Sequence, residues 1–332
     1  MQGVVVREFG PVESHKYEEF QAPEAGPDEV LIDTHVVGVN FPDTLMVQGL
    51  YQTKPERPFV PGRDAAGVVA AVGANVTRFK PGDRVLAQVR WGAYADRLAA
   101  AEDRCFQVPD DVDFVVAAAM GTVFPTVHVS LMIRANYKPG ETVLVNGAAG
   151  GIGLAAVQIA KAKGATVIAG DIDDDKRALA TKCGADHTID IMADDIRESL
   201  RQQVFAVTDG RGVDICLDPI GGDVFDASMR ALDFEGRIVT IGYVAGRIPV
   251  VKANYLNVKN LSVAGIALDL YLQKTPTTVQ AAMADLFDMY RAGTVDPEVT
   301  ATHPIADFKK VWTMFAERKT KGKIVLKTPA GS

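Results

Sequence analysis

Hydrophobic and polar positions change rhythm near residue 124. Before it, short apolar runs are cut by turn residues. Val4–Arg7, Glu29–Val39, Ala65–Val72, Arg84–Val89 and Tyr94–Ala99 read as strands; Gly10-Pro11, Ala25-Gly26-Pro27, Pro61-Gly62 and Pro81-Gly82 separate them. From Glu29 to Val37 apolar and polar residues roughly alternate, the period of a half-buried strand. This stretch reads as an irregular, mostly β module with a few helical pieces.

From about Pro125 to Ile266 strands alternate with helices. The strands expected are Thr142–Asn146, Thr166–Gly170, Thr188–Asp190, Val213–Asp218, Arg237–Ile241 and Leu261–Ile266. Between them, Gly151–Lys163, Asp174–Cys183, Asp194–Asp209 and Asp223–Leu232 carry helical patterns, with Gly164 and Gly184 placed to end the first two. Such alternation implies an α/β fold, a parallel sheet with helices on both faces. Two helices, Val279–Ala292 and Ala306–Arg318, and a strand, Lys323–Leu326, close the chain. The expected division is residues 1–124, 125–266 and 267–332.

Composition narrows the class. The chain has 332 residues, 48% hydrophobic and 23% charged, which suits two domains with sizeable cores and argues against disorder. No apolar run reaches the roughly 18–20 residues that cross a bilayer, and MQGVVVREFG lacks the order of a secretion signal. A net charge of −7 gives no basic patch for nucleic acid. The cysteines Cys105, Cys183 and Cys216 are too few and too far apart for a disulfide framework, so the expected location is the reducing cytoplasm.

The most specific local feature is Val143-Leu144-Val145-Asn146-Gly147-Ala148-Ala149-Gly150-Gly151-Ile152-Gly153. A strand runs into a glycine turn that opens a helix, so the backbone can approach a pyrophosphate and the helix start can offer it free N–H groups. Asp171 ends the next strand about 20 residues on, where a carboxylate can accept from an adenosine ribose. Asp173, Asp174 and Asp175 follow and suit helix capping better than ligand contact. A carboxylate about 4 Å from a 2′-phosphate costs about 4 kcal/mol per phosphate charge at an effective dielectric of about 20. Lys176 and Arg177 could offset that, or serve a solvated helix face. The acidic stretch favours NADH over NADPH.

The stretch Gly140-Glu141-x-x-Leu144-x-x-x-Ala148-Ala149-Gly150-Gly151-x-Gly153-x-x-x-x-Gln158-x-x-Lys161 resembles the quinone oxidoreductase/zeta-crystallin signature of the medium-chain dehydrogenase/reductases. Val39-Asn40-Phe41-Pro42-Asp43, Gly49-Leu50-Tyr51, Pro61-Gly62-x-Asp64-x-x-Gly67-x-Val69, Asp218-x-x-Gly221-Gly222 and Gly322-Lys323-Ile324-Val325-Leu326 extend the likeness over the whole chain. The resemblance implies a GroES-like catalytic domain built from both chain ends, a central Rossmann domain, a cleft between them, and a homodimer through Leu261–Ile266. Zinc-dependent relatives place Cys and His where this chain has Asn40 and Arg63, and four cysteines where it has only Cys105. Its histidines are scattered, so zinc, which needs about four N or S ligands, is not expected. NADPH-using relatives often carry a hydroxyl residue and a Tyr where this chain has Ile172 and Ile191, which again favours NADH.

Without a metal, an already electrophilic quinone or enone is the expected hydride acceptor, and the protein must stabilise the oxyanion that forms. Asn40 is the first catalytic candidate, with a turn-holding amide as its structural alternative; Tyr51 is the second, as donor to the reduced oxygen or as a packed aromatic. Arg63 could attract an anionic substrate or pair with Asp64 or another carboxylate. Trp91 and Phe124 could line an apolar slot or pack in a core. By the resemblance, Thr126, Ile241 and Gly242 lie near the nicotinamide and Ile220 near the adenosine, while Gly150, Gly151, Ile152 and Gly153 hold the diphosphate. Lys323 either reaches the cleft or is one more exposed lysine beside Lys319 and Lys321. The leading reading is a quinone reductase. Its competitors are an ene-reductase of unsaturated carbonyls or enoyl-CoA, and a low-turnover dinucleotide-binding structural or RNA-binding protein.

Overall fold

The computed structural model describes residues 1–317 and 320–331. Lys319 and the expected helix end at Arg318 lie outside the described residues. The chain divides into two compact units. Unit one is Met1–Thr122, Asp269–Phe287 and the part from Pro297 onward; unit two is Val123–Leu268 with Asp288–Asp296.

Unit one is mostly β. It begins with β1 (Gln2–Val5) against β2 (Lys16–Glu19), a hairpin-like pair in the register Gln2↔Glu19 that apolar runs alone did not mark. Pairing therefore sets the first strand two residues earlier than expected. Next come β3 (Glu29–Gly38), α1 (Phe41–Val47), β4 (Asp64–Val72), β5 (Arg84–Gln88), β6 (Arg97–Ala101), β7 (Cys105–Gln107) and α2 (Phe114–Met120). β6 starts three residues later than Tyr94, because Tyr94 and Ala95 are taken by the N-terminus: the Val4 N–H donates to the Tyr94 carbonyl and Gly3 bridges Ala95.

Unit two starts with α3 (Val123–His128) and continues β8 (Thr142–Asn146), α4 (Gly151–Ala162), β9 (Thr166–Asp171), α5 (Asp174–Lys182), β10 (His187–Asp190), α6 (Ile196–Val207), β11 (Val213–Asp218), α7 (Gly222–Ala231), β12 (Leu232–Thr240), α8 (Ala253–Lys259) and β13 (Ser262–Gly265). Its six strands run in the order β10-β9-β8-β11-β12-β13, all pairs parallel. That is the expected doubly wound sheet, and the order reverses between β8 and β11. In such sheets ligands bind beyond the carboxyl ends of the strands at that reversal.

The rest is α9 (Leu268–Lys274), α10 (Pro276–Arg291), β14 (Val299–Pro304), α11 (Phe308–Ala316) and β15 (Lys323–Lys327). β14 and β15 join β3, β4, β5 and β7 in one sheet of unit one, with β15 antiparallel to β3 in the register Val325↔Gly38. The tail does not return wholly, however. Asp288–Asp296 belongs to unit two. The Gln158 side chain pins it there, donating to the Asp296 carbonyl at 2.7 Å and accepting from its N–H at 2.5 Å. Each unit has its own apolar core: in unit one Ile32, Val37, Leu98, Trp312 and Ile324 are buried together, in unit two Leu144, Ile168, Cys216, Phe225 and Ile238. Among the described residues no single helix is long and apolar enough to cross a membrane.

Candidate functional site

In unit two, four residues connect β8 to α4, and three features make them a cradle. Gly147 has φ +62°, which a side chain would strain, and a Cβ there would meet Ile220 Cδ1 at 2.9 Å. At Gly153 a Cβ would lie 2.1 Å from the Gly147 carbonyl oxygen, so that glycine serves tight packing of helix on turn. Gly150 differs. It is exposed, and a Cβ there would meet only that same oxygen, at 3.4 Å. As N-cap of α4 it gives the first-turn N–H groups no side-chain acceptor. Open space at the positive end of a twelve-residue helix suits a diphosphate. The residues therefore fit a dinucleotide.

Neighbouring loops share this sheet end. The Ile241 N–H donates to the Asp218 carbonyl at 2.8 Å, and the Ala245 N–H to the Ile220 carbonyl at 2.9 Å, which ties the loops after β11 and β12 together beside Gly242. Asp218 braces them from below: it accepts from Asn146 Nδ2 at 2.9 Å and from the Gly221 N–H at 2.8 Å, and burial first of all raises its pKa. Thr126 is buried in α3, its carbonyl accepting from the Ser130 hydroxyl.

Asp171 has a duty the sequence did not reveal. Its carboxylate accepts from the Ala149 N–H and from the Ile172 N–H, both at 2.8 Å, and it is 4% exposed. It thus clamps the glycine turn to the end of β9. Asp173 is the N-cap of α5, accepting from the Lys176 N–H at 2.8 Å, as its spacing suggested. The two nearby cations are held by carboxylates: Lys176 lies 4.0 Å from Asp173, and Arg177 pairs with Asp174 and, at 3.5 Å, with Asp190.

Unit one holds a buried polar cluster where α1 meets β15. Asn40 is the N-cap of α1 and is 5% exposed. Its Nδ2 donates to Asp64 Oδ2 at 2.7 Å, and its Oδ1 accepts from Lys323 Nζ at 2.9 Å. Its backbone N–H donates to Asp43 Oδ2 at 2.9 Å. Thr122 Oγ1 donates to Asp64 Oδ1 at 2.6 Å. A second string runs from Trp312 Nε1 to Tyr94 Oη at 3.0 Å, and from Tyr94 Oη to Asp43 Oδ2 at 3.2 Å. Asp43 Oδ1 is buried without a partner. Burial, reinforced by the charge of Asp64, pushes the Asp43 carboxyl up to about 7 against the pull of the Asn40 N–H, Arg63 and Lys323. Burial lowers the Lys323 ammonium, and Asp64 and Asp43 oppose that.

Several expectations change here. Lys323 is 3% exposed and is no member of a surface charge run; β15 carries it beside β3, and its ammonium also donates to the Val39 carbonyl at 2.9 Å. Arg63 makes no ion pair with Asp64, whose oxygens are occupied by Asn40 and Thr122; its guanidinium lies over the Tyr51 ring at 6.0 Å. Tyr51 is half-buried against the unit-one core. Trp91 is not packed inside but 38% exposed, on a groove of unit one beside Phe20, Pro55, Pro58 and Leu98. Phe124, for which a slot and a core were both open, takes the core alternative, enclosed in unit two at 1% exposure. The sequence reading missed Asp43, Tyr94, Thr122 and Trp312 as partners. A carboxylate three residues after an N-cap was the one signal that could have flagged Asp43.

Residues 26–123 match the family model described as alcohol dehydrogenase GroES-like domain, and residues 151–287 the one described as zinc-binding dehydrogenase. A quinone oxidoreductase of Pseudomonas aeruginosa is 35% identical over 320 residues, 96% of this chain and 97% of that one. Quinone oxidoreductase-like protein 2 of Mus musculus is 34% identical over 302 residues, 91% of this chain and 85% of its own. This chain belongs to the quinone oxidoreductase family of the medium-chain dehydrogenase/reductases. Membership makes it an oxidoreductase. The crystal structure of the Escherichia coli quinone oxidoreductase complexed with NADPH superposes with a TM-score of 0.89 at 30% identity, covering 98% of this chain and 100% of that one.

The second family model names zinc, and the residues here do not fit it. A guanidinium such as Arg63 has no lone pair to give. The oxygen of Asn40 faces an ammonium, and among the described residues no group of three His, Cys, Asp or Glu side chains could hold a metal ion.

Proposed function

We propose that this member of the quinone oxidoreductase family passes hydride from a nicotinamide dinucleotide to a quinone, or a similarly electrophilic carbonyl acceptor, without a metal ion. The observation that carries the reading is the cradle at Gly150, open above an uncapped helix start. Unit two takes the dinucleotide there, and unit one takes the acceptor. When bound, the nicotinamide supplies the hydride; one proton from solvent completes the hydroquinone.

The chain's own residues do the rest. N–H groups of Gly151, Ile152 and Gly153 meet the diphosphate, and the paired loops at Ile220 and Ile241–Gly242 flank the nucleoside groups. Tyr51 is the donor to the developing oxyanion, and the Arg63 guanidinium over its ring adds positive charge, which stabilises that oxyanion. Asn40 presents its amide toward the cofactor or acceptor. NADH is favoured over NADPH because Lys176 and Arg177 are already partnered by carboxylates, leaving a 2′-phosphate facing Asp173 and Asp174. The neighbour bound to NADPH makes this preference a direct point of test. We place the protein in the reducing cytoplasm, where its widely spaced cysteines, Cys105 and Cys216 of them buried, would stay thiols.

The experiment is steady-state kinetics on naphthoquinone, an enone and an enoyl-CoA, with NADH and NADPH, for the wild type and Gly150→Val. Turnover of naphthoquinone with NADH in the wild type is expected, as is at least a tenfold loss of dinucleotide affinity in the variant at unchanged melting temperature, since its Cβ meets no crowding. Faster turnover of the enone or enoyl-CoA turns the assignment to an ene-reductase. Tight dinucleotide binding with no turnover of any acceptor leaves the structural or RNA-binding reading. Higher efficiency with NADPH overturns the NADH preference.

A homodimer through Leu261–Ile266 is proposed with it. β13 is an edge strand of its sheet, and Val250 and Val258, 80% and 75% exposed, lie respectively before and in the neighbouring α8. Sedimentation equilibrium is expected to give twice the chain mass, and Val263→Pro in β13 to shift it to the monomer. A wild-type monomer ends this proposal.

A further inference from the structure

We propose that Lys323 is a positioning residue: its ammonium, rather than a metal ion, is the cation around which Asn40 and Asp64 are ordered, and it dictates which end of the Asn40 amide can face a ligand. This rests on the reading above that Asn40 faces the cofactor or acceptor.

The argument is one of donor and acceptor chemistry. The two ends of an asparagine amide have nearly the same shape but opposite hydrogen-bonding sense. An ammonium can only donate, and an ionised carboxylate can only accept. Lys323 Nζ stands 2.9 Å from Asn40 Oδ1 and Asp64 Oδ2 stands 2.7 Å from Asn40 Nδ2. With the amide turned over, N–H would meet the ammonium and oxygen would meet the carboxylate, so that rotamer is excluded twice. Asp64 is itself fixed from the other side by Thr122. The remaining Nδ2 hydrogen has only a long contact, 3.4 Å, to the Gly38 carbonyl. Asn40 is therefore held ready as a donor, the polarity an oxyanion or a ribose oxygen would use.

Its surroundings hold the ammonium and Asp64 in place. Lys323 is buried, and its second hydrogen bond, to the Val39 carbonyl, fixes the ammonium on the turn that carries Asn40. A methyl on Gly121 would sit 2.3 Å from Asp64 Cγ, and one on Gly38 would sit 3.1 Å from Asp64 Cβ. A divalent ion bound through Asn40 Oδ1 would have to share that oxygen with this ammonium, which already donates to it at 2.9 Å.

Removing Lys323 alone strands two carboxylates, so the charge-balanced Lys323→Met/Asp64→Asn variant is compared with Asp64→Asn. Selective 15N-asparagine labelling reads the Asn40 side-chain amide, and naphthoquinone turnover is measured at saturating NADH. The lysine change is expected to speed exchange of the Asn40 amide protons at least tenfold. It should lower kcat at least tenfold, with the calorimetric NADH affinity within twofold. Lys323→Arg, which keeps a cation, is expected to retain slow exchange. Exchange and kcat both within twofold of Asp64→Asn overturn the proposal. So does one equivalent of zinc binding to chelator-treated wild type. If the wild type reduces no acceptor, the proposed function falls, and the exchange measurement alone decides the role of Lys323.

Discussion

Lys323→Met is expected to lower the unfolding free energy by about 3–5 kcal/mol, the range for breaking a buried charge cluster by removing one partner. The lysine side chain is almost fully enclosed and satisfies the Val39 carbonyl and Asn40 Oδ1. Methionine fills much of the same volume but donates nothing. Two buried acceptors are then orphaned, each at about 1–3 kcal/mol. Asp64 and Asp43 lose the cation that offsets their burial. Urea denaturation at neutral pH measures the difference. A loss under 1 kcal/mol would show that water or a carboxyl proton takes over the ammonium's place at little cost. An exposed lysine of a charged surface run would give such a small loss.

Asp43 is expected to make stability fall as pH rises through neutrality. Its folded pKa, about 7, lies above the ordinary 3.8 because burial disfavours the carboxylate and Asp64 adds like charge. The folded chain therefore holds this proton more tightly than the unfolded chain does. The resulting stabilisation is fully present below pH 3.8 and disappears as pH passes about 7. Over pH 5 to 8 the shift amounts to about two units, or about 3 kcal/mol at about 1.4 kcal/mol per unit. Asp43→Asn keeps an oxygen for the Asn40 N–H but cannot ionise. Denaturation from pH 5 to 8 should show the wild type losing about 3 kcal/mol relative to the variant. Parallel curves would mean that Arg63, Lys323 and the hydrogen bonds from Asn40 and Tyr94 hold Asp43 ionised throughout.

The two predictions concern residues that sequence patterning treated very differently. Asp43 sat in a recognisable segment, three residues after the asparagine that the fold makes the N-cap of α1. Lys323 looked like solvent-facing charge, because Lys319, Lys321 and Lys323 form a charge run in the sequence. Burial of Lys323 comes from β15 pairing with β3, whose nearest paired residues are almost 290 positions away in sequence. Local pattern has no access to such a partner. Phe124 and Trp91 invert the same lesson. Both are aromatic and both suited a slot or a core, yet one is enclosed and the other stands on a groove.

What sequence alone determined is what short-range physics dictates. The alternation of strands and helices from Thr142 to Gly265, the glycine turn before α4, and Asp173 as a cap are set by residues within a few positions of one another. Backbone freedom and local hydrogen bonds decide such features, and neither needs a distant partner. What only tertiary structure decided is how polar groups are matched. Asp171 clamps Ala149, Gln158 draws Asp296 into unit two, and Lys323 orients Asn40 between itself and Asp64. A buried polar side chain must find a partner somewhere in the fold, and which partner it finds depends on strands and helices far apart in the chain.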